Sequence, residues 1–136
     1  MTYLSREQIL SRTDLKTEDV PIGDDAGMVR VRELTGTELD EYQASLMQQV
    51  EEEDGSTKTV PDMSNRRAKL LVFAIVDEAG VNLFTEFDVA KVGRLPGAMV
   101  DKLFTVAERL SAVNQNAAKE ITANFEPDPN ESSTSP

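Results

Sequence analysis

The sequence predicts an α+β fold, mainly α-helical, in a single domain with an N-terminal β-hairpin and a disordered C-terminal tail. Three observations predict it. Apolar and basic residues alternate over Met28–Arg32, the period of two of a half-buried strand. Apolar residues recur at spacings of three and four over Leu39–Val50 and again over Val100–Val113, the period of an amphipathic helix. The closing segment EPDPNESSTSP combines proline, acid and serine with no apolar side chain, so it has nothing to bury.

Taken in order, Ser5-Arg6-Glu7-Gln8 has the form of a capping box, in which the Ser5 hydroxyl accepts from the Gln8 backbone and the Gln8 side chain returns the bond. A short helix to about Arg12 follows. Pro21 resists helix and GDDAG at 23–27 supplies turn formers, so residues 17–22 are expected to pair with 28–33. Val29 and Val31 point one way, Met28, Arg30 and Arg32 the other. The arginines are either solvated or paired with nearby acids. Thr35-Gly36-Thr37-Glu38 is a second capping box, and the stripe Leu39, Tyr42, Leu46, Met47 and Val50 predicts a helix to about Glu53, placed to cover the hairpin. Glu38, Asp40 and Glu41 suit the positive end of its dipole.

The run EEEDGSTKTVPD at 51–62 joins acid to Gly55 and Pro61 and reads as a mobile loop at about 52–62, the best internal site for proteolysis. LLVFAIV at 70–76 is the most apolar run and fits either a buried strand or a buried helix; the flanking NRRAK and Gly80 favour a central helix over Ser64–Glu78. Thr85 and Asp88 cap a short helix that ends near Gly93, and Pro96 breaks the chain. From Gly97 the stripe Val100, Leu103, Phe104, Ala107, Leu110 and Val113 marks a long helix, which Ala117, Ala118 and Ile121 can extend. The domain therefore spans 1–115, and 116–136 is a weakly helical to disordered polar tail. There is no internal repeat and no sustained heptad pattern.

The chain of 136 residues carries 25 acids against 14 bases, a net charge of -11. Residues 1–65 hold 15 acids and 6 bases, net -9, whereas residues 66–115 hold 6 acids and 7 bases, net +1. Such a surface repels phosphate backbones, and only NRRAK approaches a basic patch, so no nucleic-acid partner is expected. No uninterrupted apolar run approaches the roughly 20 residues of a membrane span, and the protein reads as soluble and cytoplasmic. The sequence has no cysteine and no histidine, which removes disulfides, thiol nucleophiles, soft-metal sites and an imidazole base.

The remaining acids do not form an evident chemical site. Asp24 and Asp25 lack the alternating ligands and closing glutamate of a calcium loop, and Glu51–Asp54 reads as a solvated run. The pairs Asp77/Glu78 and Glu86/Asp88 do not face each other on a helix, and no phosphate-cradling glycine loop is present. Neither enzymatic activity, a cofactor nor a metal is expected. Met47, Phe73, Phe84, Phe87, Met99 and Phe104 fall on or beside the core faces, where packing accounts for most of them. Any left exposed would line an apolar groove for another chain's helix.

In order and spacing, several passages resemble the tail assembly chaperones of long-tailed bacteriophages. The most telling are VRVRELTGTE, the passage RAKLLVFAIVDEAGVNLFT and LFTVAERL, and the likeness extends over about residues 3–115. None of these is a catalytic signature. The resemblance implies a protein without enzymatic activity or cofactor that binds the tape-measure protein in the host cytoplasm, keeps it soluble, helps recruit tail-tube subunits and is absent from the mature virion. Self-association is expected of such a chain. Given the charge split, Arg66, Arg67, Phe84, Phe87 and Met99 in the less acidic half are the candidate partner-binding residues. The alternatives are a structural head-tail or tail component retained in the virion and an acidic inhibitory binding protein.

Overall fold

The computed structural model describes residues 2–24 and 27–112; the expectations for Asp25, for the extension of the last helix and for the tail at 116–136 lie outside the described residues. Among the described residues 43% are helical and 21% are in strands. The fold is therefore α+β with two small antiparallel sheets, not mainly helical, and two segments account for the difference.

The N-terminal elements follow local chemistry. Helix α1 (Arg6–Leu10) opens on Ser5 with both capping-box bonds made, at 3.2 Å from the Gln8 N–H to Ser5 Oγ and 2.8 Å from the Ser5 N–H to Gln8 Oε1. Strands β1 (Thr17–Pro21) and β2 (Met28–Arg32) pair in register from Thr17 opposite Arg32 to Pro21 opposite Met28. Arg30 stands opposite Asp19, and the guanidinium donates to both carboxylate oxygens at 2.7 and 3.1 Å. This contact draws the Asp19 carboxyl below its ordinary range, chiefly through the hydrogen bonds from Arg30.

Helix α2 (Gly36–Ser45) starts at the Thr35 capping box but stops eight residues short of Glu53. Its last expected turns and the expected loop are instead a second hairpin, β3 (Met47–Glu51) with β4 (Thr57–Pro61), paired from Met47 opposite Pro61 to Glu51 opposite Thr57. The turn between them is built on Asp54-Gly55. Asp54 Oδ1 accepts from the Ser56 N–H and hydroxyl, and Gly55 adopts φ +87°, a left-handed conformation that favours glycine. Within the two strands only Val50 and Val60 are half-buried; the other strand positions are exposed.

The apolar run at 70–76 is helical only in its first part. Helix α3 (Arg66–Ala74) ends before Ile75, whose φ of -85° and ψ of 124° turn the chain into strand β5 (Ile75–Val76). These two β-branched residues pair with Val31 and Arg30 of β2 and complete a sheet of order β1-β2-β5. Pairing along the open edge of β2 competes with continued helix, and the strand wins. The chain returns through a tight turn in which Asp77 Oδ1 accepts from the Ala79 and Val81 N–H groups at 2.8 and 2.9 Å, with Gly80 at φ +84°.

A 3-10 turn at Glu86–Asp88, helix α4 (Val89–Gly93) and helix α5 (Gly97–Ser111) complete the fold. It is α5, not α2, that covers the N-terminal hairpin. Lys102 Nζ donates to the Pro21 carbonyl at 2.9 Å, Arg109 pairs with Glu18, and the Leu34 N–H donates to Ser111 Oγ at 2.9 Å. The core lies between α3, α5 and the sheet, with Val31, Leu70, Leu71 and Leu103 fully buried. Because residues on both sides of the β3–β4 turn share this core, limited cleavage at Glu53 is expected to leave the two pieces together, as one species of about 15.0 kDa in native mass spectrometry.

Candidate partner-binding groove

Arg32 organises the groove. Its side chain, expected to be solvated or paired, is buried at 7% exposure and donates to both carboxylate oxygens of Glu38 at 2.7 Å, to the Glu33 carbonyl at 2.9 Å and to Asn82 Oδ1 at 3.1 Å. Glu38 Oε1 also closes the α2 capping box by accepting from the Thr35 N–H at 3.0 Å. One guanidinium thus joins the end of β2, the first turn of α2 and the loop that leads to Phe84.

The 3-10 turn fixes the next residues. Asp88 accepts from the Thr85 N–H at 2.9 Å while Thr85 Oγ1 accepts from the Phe87 N–H at 3.3 Å. This holds Phe84 half-buried against the core and leaves Phe87 outside at 86% exposure. Phe73, the one side chain of LLVFAIV that the core does not bury, faces the same space.

The result is a groove between α2, α3 and the 3-10 turn, formed by two adjoining depressions of about 260 and 490 Å³. Val72, Phe73, Phe84 and Val89 supply its apolar lining, and Glu41 and Glu86 stand at its rim. Both glutamates are exposed and make no ion pair among the described residues. Lys69 also reaches the rim, but its ammonium donates to the Ser45 carbonyl at 2.8 Å and lies 3.8 Å from Asp62. The open charge at the groove is therefore negative. An apolar floor with carboxylates at its edge suits a short amphipathic helix flanked by basic residues.

The residues singled out from sequence divide between places. Phe84 lines the groove, and Phe87 projects beside it. Arg66 and Arg67 lie elsewhere, lining a separate depression of about 250 Å³ with Met63, Asn65, Gly93 and Leu95. Their guanidinium carbons sit 4.7 and 5.9 Å from the Phe104 ring centroid, and they face Glu108 at 4.0 Å and Asp101 at 3.3 Å. Burial pushes the Glu108 carboxyl above its ordinary range, against the opposing pull of Arg66. The two arginines thus clamp α3 to α5. Met99 is half-buried and packs against the core.

Glu41 and Glu86 carry no mark of groove residues in the sequence, and Phe73 was expected on or beside the core faces. No local signal marks them, because the groove joins residues 41, 72–73 and 84–89 only after folding.

Among the described residues there is no group of three or more acids able to hold a metal ion, and no helix is long and apolar enough to cross a membrane. No protein-family model, curated protein or solved structure matches the chain.

Proposed function

We propose that this chain is a tail assembly chaperone of a long-tailed bacteriophage, which holds a helical segment of the tape-measure protein in the groove between α2 and α3. It acts by binding, without catalysis or a cofactor. In the host cytoplasm it keeps the client soluble, helps bring tail-tube subunits to it and leaves before the virion is complete. The ordered resemblance of residues 3–115 to that family supports the role. The observation that carries the proposed mode of binding is the apolar floor of Phe73 and Phe84 between two carboxylates without partners among the described residues.

A helix bound there gains non-directional apolar contact, which many related segments of a long client can supply in turn. The acidic body, at net charge -11, keeps a client covered by many copies from aggregating. Co-expression with the tape-measure protein tests the role: the client is expected to be soluble and to co-purify only when the chaperone is present. In the same assay Phe84→Ala with Phe87→Ala is expected to weaken capture about tenfold or more, the loss typical of an anchoring aromatic residue. Client that stays insoluble, together with this chain in purified virions, would instead identify a structural tail component.

A further inference from the structure

We infer that the N-terminal arm, residues 2–12, docks into the groove between α2 and α3 of a second copy of this chain. The arm is built but uncovered. Helix α1 has only five residues and buries none of them, yet its capping box is complete. So short a helix is marginal in water unless another surface covers it. Tyr3 is 88% exposed, and Leu4, Ile9 and Leu10 are also exposed, which concentrates apolar area on a segment that covers nothing in its own chain.

The groove supplies what the arm lacks. Its lining is apolar where the arm presents Leu4, Ile9 and Leu10. Its open charges are Glu41 and Glu86, whereas the arm carries Arg6 and Arg12. Arg6 meets only the exposed Glu7, at 4.0 Å, and Arg12 makes no ion pair among the described residues. No arm residue lines the groove of its own chain. Opposite charges around matched apolar surfaces fix which side of the arm enters. The contact needs the groove but not the client, so it goes beyond the chaperone reading. It makes arm and client competitors for one surface, with copies covering each other's grooves until client displaces the arm.

Because the chain has no cysteine, single thiols can be placed at will. Leu10→Cys chains mixed with Glu86→Cys chains are expected to form a mixed disulfide about tenfold faster than with Lys58→Cys chains, reflecting the higher effective concentration in a docked pair. Light scattering should show dimers that Arg6→Glu with Arg12→Glu weakens about tenfold and that Glu41→Lys with Glu86→Lys, combined in the same chain, restores. All four positions are exposed, so these changes leave the core untouched. A chain that stays monomeric, a dimer indifferent to both charge reversals, or a disulfide formed only within a chain carrying both cysteines would overturn the inference. The arm variant keeps its groove, so client capture by that variant separates the two ideas. Client capture by a wild-type chain that forms no dimers refutes only the arm, and arm-dependent dimers of a chain that captures no client refute only the client reading.

Discussion

Arg32→Ala is expected to lower the unfolding free energy by about 3 kcal/mol, which for a domain of this size corresponds to a fall in Tm of roughly 10–15 °C. The substitution leaves the Glu38 carboxylate without its main partner and Asn82 without the donor that holds its loop. The expected cost lies at the low end of the range for a broken buried pair because the Glu38 side chain is 20% exposed and water can reach it. Glu38→Gln should cost less, since glutamine still closes the capping box while the charge alone is lost. Arg30 provides the contrast: its pair with Asp19 lies on the surface, at 36% and 42% side-chain exposure, so its removal should have little effect.

The pH dependence follows from the same contact. Hydrogen bonds from Arg32, aided by the Thr35 N–H and opposed by burial, hold the Glu38 carboxyl below its ordinary value of 4.5. A depressed carboxyl contributes stability that is complete above 4.5 and is lost as pH falls through the lower, folded-state value. The difference between wild type and Arg32→Ala should therefore be constant near neutrality and shrink in acid, as measured by denaturant unfolding across pH. A loss below about 1 kcal/mol, the scale of a surface pair, would show that Arg32 does not anchor the junction.

Phe104→Ala is expected to have a larger effect, about 3–5 kcal/mol. The ring is 3% exposed, so its removal leaves a cavity between α3 and α5 and also takes away the surface on which Arg66 and Arg67 rest. Phe104→Leu fills much of the space but offers no π face. It should retain most of the stability and lose about 0.5–1 kcal/mol for the cation contact in addition to any packing change. Equal effects of Arg66→Ala in the wild-type chain and in the Phe104→Leu variant, measured by thermal unfolding, would mean that the ring and the arginine are not coupled.

Elements fixed by near neighbours could be read from the sequence. Ser5, Thr35 and Thr85 each meet a Gln, Glu or Asp three residues on, and all three caps form. The alternation at Met28–Arg32 likewise specifies its strand. By contrast, Leu46, Met47 and Val50 fit a helical stripe, while Leu46, Gln48 and Val50 share one face of a strand. The Asp54-Gly55 turn decides between them, and the acidic run obscured that signal. Ile75 and Val76 become a strand because β2 offers them an edge, which no window around residue 75 contains. The groove was the least legible feature of all. Its floor and rim come from three separate segments, and the arginine that positions it looks like an ordinary surface residue until Glu38 and Asn82 fold against it.

Amide hydrogen exchange on the complex with a tape-measure segment, compared with the free chain, reports which surface the client occupies. Occupation of the groove should slow exchange at Val72–Phe73 and over Phe84–Val89, with little change in the β3–β4 hairpin or at Arg66–Arg67. Slowing confined to the hairpin or to the first turn of α3, with the groove residues unchanged, would place the client outside the groove between α2 and α3.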